Sequence, residues 1–254
     1  MARQSRRPGV SAASTLAGVS ETAEPSTPAI HLHPTAPLAE RVLLPGDPGR
    51  ALRLAQALLT EPRMFNHNRG LWGYTGQAAD GSSLTIQATG MGGPSAAIVI
   101  SELADLGARR LIRVGTCGAL TGELALGELL LVDEALPRDG ASRALGAEDP
   151  ARPDPGLLDA LLGAAPDSRR GAVVSTDLFY DPAEPEPGWA REGALAVEME
   201  TATLFAVAVR RELRAASVLA VSDLILPRRR RIDPTALAGA ELAMGRAAAA
   251  ALQT

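Results

Sequence analysis

The 254-residue sequence contains no lysine. Schiff-base chemistry through a side-chain amine is therefore excluded, and every fixed side-chain cation is an arginine. Cysteine occurs once, at Cys117, so no disulfide can close within the chain. A lone thiol suits a reducing compartment, and the expected location is the cytoplasm. There are three histidines, and only His31 and His33 stand near one another, which is too little to expect a metal site. No uncharged apolar run reaches the roughly 18 residues of a membrane-crossing helix. The net charge of −4 argues against general binding to nucleic acid or a membrane surface.

What is present is apolar side chain in quantity, 46% of the sequence, enough for a sizeable core in a chain of this length. Residues 1–28, rich in Ser, Ala, Thr and Pro, read as a disordered extension without the apolar region of a secretory signal. From residue 41 onward short apolar runs (RVLLPG, LTIQATG, RLIRVG, ELLLVDEAL, GAVVST, ALAVEM, ASVLAVSD) alternate with helical stretches over 48–59, 94–106, 201–213 and 234–252. Pro94 and Pro234 suit first-turn positions. Such alternation predicts an α/β fold: a single domain over 29–254, with a mixed, mostly parallel central sheet flanked by helices. Residues 137–156 and 180–190 read as surface loops.

Ligands in such sheets collect at the carboxyl ends of strands, and several of the runs end in small or polar residues. Gly46 and Arg50 follow the first, Gly90, Gly92 and Gly93 the second, and Thr116, Cys117 and Gly118 the third. Glycine turns that lead into helices let backbone N–H groups approach an anion. Arg113 interrupts an apolar strand. A guanidinium there stays charged, so it needs either a nearby acid or an oxyanion shared with Arg50.

Glu198 and Glu200 flank Met199 in an otherwise apolar stretch, and an unpaired buried carboxylate is costly. In an extended strand the two glutamates share a face. At a strand end such a carboxylate can accept hydrogen bonds from a sugar diol, two together can serve glycoside hydrolysis, or one can mark a helix start. Ser222 and Asp223 end another apolar run. Asp223 is either a turn cap or an acid that donates a proton within a cleft.

Taken together, LPGDPGRA (44–51), NRGLWGYTG (68–76), TGMGGPSA (89–96), RVGTCGAL (113–120), STDLFY (175–180), VEMETATL (197–204) and VSD (221–223) resemble the nucleoside phosphorylase family. Within it they are most similar to the bacterial hexameric-type purine nucleoside phosphorylases, from about residue 28 to the end. The resemblance implies reversible phosphorolysis of purine (deoxy)ribonucleosides, with inorganic phosphate as co-substrate, no cofactor and no metal. It places phosphate on Gly46, Arg50, Arg113 and Thr116, with Arg69 contributed by a neighbouring subunit. Ribose would lie on Met199 and Glu200, with His31 reaching over from the neighbour. The base would lie against Cys117, Gly118, Phe179, Glu198 and Ser222, and Asp223 would be the acid at purine N7. The implied assembly is a homohexamer built as a trimer of dimers, with no nucleic-acid or membrane partner.

Two departures from the family pattern stand out. The histidine that usually follows Thr-Pro near the start is replaced by Ala29, with His31 and His33 slightly later. The arginine expected about thirteen residues beyond the acid is replaced by Ala236, whereas Arg228–Arg231 come earlier and one of them is available to assist Asp223. The alternatives are a uridine phosphorylase, although its uracil-reading Gln-x-Arg element is missing, a 5′-methylthioadenosine/S-adenosylhomocysteine-type nucleosidase, and a non-catalytic nucleoside-binding module.

Overall fold

In chain order, β1 (Arg41–Leu44) leads through a Pro-Gly turn into α1 (Pro48–Leu58). β2 (Thr60–Asn66), a single 3-10 turn at Asn68–Gly70, β3 (Gly73–Gln77) and β4 (Ser83–Gln87) form a meander, and α2 (Gly93–Asp105) returns to β5 (Arg110–Ala119). β6 (Leu129–Arg138), α3 (Gly140–Ala144), α4 (Pro155–Ala164), β7 (Arg169–Thr176), α5 (Glu186–Arg191) and β8 (Ala196–Glu198) follow. α6 (Thr201–Arg210), β9 (Arg214–Leu224), the two-residue β10 (Arg230–Arg231) and α7 (Pro234–Ala251) come last. This computed structural model describes Met1 and residues 29–253. The extension expected to be disordered thus lies, Met1 apart, outside the described residues.

Helix starts follow their sequence signals. Asp47, Asp154 and Asp233 each precede a proline, and each accepts hydrogen bonds from amides of the first turn, opening α1, α4 and α7. α6 ends three residues earlier than its periodicity suggests, because Glu212 adopts φ 53° and turns the chain into β9. The stretch 137–156 is not the plain loop expected. It contains α3, whose cap Asp139 is fully buried and accepts from the backbone and hydroxyl of Ser142 and the hydroxyl of Thr203. Likewise 180–190 includes the start of α5, where Trp189 packs against Leu120, Val174 and Ala194. In both places Pro, Asp and Gly open short helices where composition suggested only turns.

Among the described residues all ten strands join one mixed sheet in the order β10-β9-β6-β7-β8-β5-β1-β4-β3-β2, with a further β9–β5 pairing. Pairing is parallel through β4–β1–β5–β9 and through β6–β7–β8, and antiparallel in the β2–β3–β4 meander. Strand alternation divides the core into two layers. Val42, Leu44 and Leu111 face Leu103 of α2 and Phe205 of α6, whereas Leu43 and Ile112 face Leu54 of α1, Leu161 of α4 and Met244 of α7. Arg113 shares the face of Leu111 and is thereby directed toward the start of α6. Among the described residues no helix is long and apolar enough to cross a membrane.

Candidate active site

The crevice arises from the pairing of β5. Its first residues run parallel to β1, with Leu44 opposite Arg113. Its last two pair antiparallel with β8, with Gly118 opposite Val197. Between them Val114–Cys117 have no strand partner on that side, and the ends of β1 and β8 converge on the gap. This is the kind of switch point at which α/β sheets hold ligands. A cleft of about 540 Å³ opens there, lined by Gly46, Arg50, Arg69, Arg113, Thr116, Cys117, Gly118, Phe179, Glu198, Met199, Glu200, Ser222 and Asp223 among others.

Both glutamates meet Arg113. Its Nε donates to Glu198 Oε2 at 3.0 Å, and its Nη2 lies 2.6 Å from Glu200 Oε2. Burial alone would weaken the guanidinium's charge, but the two carboxylates overcome this and raise its pKa. Gly115 makes room for the guanidinium: a Cβ there would stand 2.6 Å from Arg113 Nη2. The Glu198 carboxylate is fully enclosed, with 0% side-chain exposure. It accepts from the Ser175 hydroxyl and from the amides of Glu200 and Thr201 that open α6. Its oxygens are therefore directed into the protein, and the expected contact of Glu198 with a base cannot come from its carboxylate. Glu200 instead stands at the cleft wall, with Oε1 accepting from the amide of Gly92, whose φ of 85° turns that N–H inward. Burial raises the Glu200 carboxyl; Arg113 opposes this and the Glu198 charge adds to it.

Arg50 reaches the same region from the first turn of α1. It is held by Glu241 Oε1 at 2.8 Å and by the carbonyl of Val114 at 3.2 Å. Thr116 follows Arg113 on β5, and Gly46 precedes α1. Arg69 sits in the 3-10 turn with φ 57° and lines this chain's own cleft. At the opposite end Asp223, 6% exposed, accepts from the Ser222 hydroxyl at 2.8 Å. β10 pairs with β9 so that Arg231 faces Asp223. The Arg231 Nε is 3.3 Å from Asp223 Oδ1, and that of Arg229 is 3.8 Å away. The arginine run thus closes on the acid. Arg229 also stands 5.1 Å from the ring centroid of the half-exposed Phe179. Burial pushes the Cys117 thiol far up, so it stays neutral and acts as a small apolar wall.

His31 is the one expected residue outside the cleft lining. Its Nδ1 lies 2.7 Å from Glu102 Oε1 on α2 of the same chain, and the Glu102 carboxylate also accepts the amides of Ile30, His31 and Leu32. Sequence reasoning missed Trp189, Glu186, Ile225 and Met91, which also line the cleft. Only the single tryptophan in a Pro-rich stretch offered a signal. It also missed Glu241, the one acid in the alanine-rich α7.

A crevice opened by the sheet at its strand ends, with arginines at one end and an acid at the other, is where an α/β protein of this kind places its site. The chain belongs to the phosphorylase superfamily, whose family model matches residues 40–253. It is 39% identical over 199 residues to a DeoD-type purine nucleoside phosphorylase of Geobacillus kaustophilus, covering 76% of this chain and 84% of that protein. It is likewise 39% identical over 188 residues to a guanosine phosphorylase of Halorubrum lacusprofundi, covering 72% of this chain and 77% of that protein. Among solved structures, uridine phosphorylase of Vibrio fischeri ES114 is similar, with a TM-score of 0.78 and 29% identity. That match covers 85% of this chain and 92% of that one.

Proposed function

We propose that this chain is a purine nucleoside phosphorylase, a pentosyltransferase that cleaves purine (deoxy)ribonucleosides with inorganic phosphate to free base and (deoxy)ribose 1-phosphate. The observation that carries this reading is one cleft lined by Arg50, Arg113, Glu200, Ser222 and Asp223, with Glu200 paired to Arg113. Relatives with purine or guanosine phosphorylase activity in their names support it.

Breaking the N-glycosidic bond builds positive charge at C1′ and negative charge on the departing purine. Phosphate on Arg50, Arg113, Thr116, the Gly46 turn and Arg69 stabilises the first charge and attacks C1′. Glu200 accepts the ribose hydroxyls, and Met199 lies along the sugar. Asp223 gives a proton to N7, with Ser222 and Arg231 holding its carboxyl in place. Proton donation of this kind contributes about 10²–10⁴ in rate. Phe179, Cys117, Gly118 and the backbone at Glu198 enclose the base. No cofactor enters this chemistry. The working unit is at least a dimer, built up to a cytoplasmic hexamer, with Arg69 and His31 offered to the neighbour.

The test is cleavage of inosine, adenosine and uridine by purified protein with and without inorganic phosphate, following ribose 1-phosphate. Phosphate-dependent release of purine supports the reading. Release that ignores phosphate assigns the chain to the nucleosidases, and preferential cleavage of uridine to the uridine phosphorylases.

A further inference from the structure

Glu241 is the one carboxylate of α7 and lies buried, 4% exposed, outside the lining of the cleft. Its Oε1 accepts from Arg50 Nε at 2.8 Å, and its Oε2 from Arg53 Nη2 at 2.6 Å. Arg53 in turn lies 3.5 Å from Asp47, whose carboxylate accepts the amides of Gly49 and Arg50 at the start of α1. One acid on the last helix is thereby tied both to the arginine at the anion end of the cleft and to the turn that carries it. Arg50 uses Nε on Glu241 and Nη1 on the Val114 carbonyl. A guanidinium has five N–H donors in a rigid fork; with Nε and Nη1 engaged on opposite sides of it, the Nη2 donors remain for the cleft that Arg50 lines. Without Glu241 the long side chain loses its fixed rotamer and holds a buried charge against a single carbonyl, which favours other orientations.

We propose that Glu241 is a positioning residue that aims the remaining donors of Arg50 into the anion end of the cleft and so sets the affinity for phosphate. The proposal rests on the phosphorolysis reading. Glu241 touches no substrate and acts through Arg50.

The experiment compares wild type, Glu241→Ala, Glu241→Gln, Arg50→Ala and the Arg50→Ala/Glu241→Ala double variant in the full chain. It reads phosphate KM at saturating nucleoside, nucleoside KM at saturating phosphate, and kcat, with circular dichroism to confirm folding. Glu241→Ala is expected to raise the phosphate KM by about 10- to 100-fold, the factor that one hydrogen bond to a charged group supplies. Glu241→Gln, which keeps one acceptor, should raise it less, and the nucleoside KM should stay near the wild-type value. On the Arg50→Ala background the second change should add little. If Glu241→Ala does not fold, the Glu241→Gln split between the two KM values carries the same decision. A phosphate KM unchanged in the folded variants, equal losses in both KM values, or full additivity with Arg50→Ala overturns the proposal while leaving phosphorolysis intact. Wild-type cleavage indifferent to phosphate overturns the phosphorolysis reading and this inference with it.

Discussion

Two carboxylates two residues apart on the same stretch, Glu198 and Glu200, do different things because one is fully enclosed and the other, though buried, stands at the cleft wall. Glu198 holds Arg113, the Ser175 hydroxyl and the first amides of α6. Removing it leaves a buried guanidinium with one partner fewer. Glu198→Ala should therefore cost about 3–5 kcal/mol of stability, the range for breaking a buried pair, measured by urea unfolding. Glu200→Gln should cost far less stability and instead raise the nucleoside KM. Because burial raises the Glu200 carboxyl above an unfolded value near 4.3, the folded chain binds that proton more tightly than the unfolded chain does. Stability from this group is fullest below the unfolded value and declines as pH rises through the folded one. The urea midpoint of Glu200→Gln against pH should lack that decline. Asp223 carries the acid role in the proposed reaction. Asp223→Asn should slow adenosine cleavage more than inosine or guanosine cleavage, because a 6-aminopurine leaves poorly without a proton at N7. Equal losses on both would show that Asp223 does not provide for 6-aminopurines in particular.

At the scale of elements, one side chain of α2 gathers the polar backbone of the segment before β1. The Glu102 carboxylate accepts three consecutive amides and the His31 ring. Burial raises its pKa, but the His31 and backbone hydrogen bonds outweigh that, and the net shift is downward. The anchoring is therefore complete above the unfolded value near 4.3 and is lost as pH falls through the lower folded one. Glu102→Gln should loosen residues 30–32 at neutral pH at a cost of about 1.5–3 kcal/mol, the worth of hydrogen bonds to a charged group. Faster amide exchange confined to that segment is the expected readout, and unchanged exchange would mean that neighbouring packing holds it instead. The β9–β10 hairpin works the same way at the other end of the cleft. The Ile232 amide bonds the Ser222 carbonyl, which keeps Arg231 in register with Asp223.

For the whole molecule, the number of chains that make one site turns on Arg69. Arg69 lines its own chain's cleft, while the proposed assembly offers it to a neighbour. Mixing Arg69→Ala with Asp223→Asn chains under conditions that exchange subunits decides between them. If Arg69 serves the neighbour, some pairs carry one intact site and activity returns beyond either variant alone. If it serves its own cleft, no pairing restores a complete site and the mixture stays as inactive as its parts.

The sequence by itself determined the alternating α/β plan, the four long helices and the strand ends that carry Gly46, Arg113, Glu200 and Asp223. Those signals are local: periodicity, aspartate-proline helix starts and glycine at turns act within a few residues. Motif order carried the family as well, and even the arginine run was legible as a candidate partner for Asp223. Only the tertiary structure decided that the Glu198 carboxylate is fully enclosed while that of Glu200, also buried, stands at the cleft wall, because that depends on where β1 and β8 stop along β5. It alone brought Glu241, nearly 200 residues away in the chain, onto Arg50, and opened short helices in stretches that composition marked as loops. Contacts between distant segments are set by the packing of whole layers, and no local pattern in Ala-rich α7 records which of its faces meets an arginine.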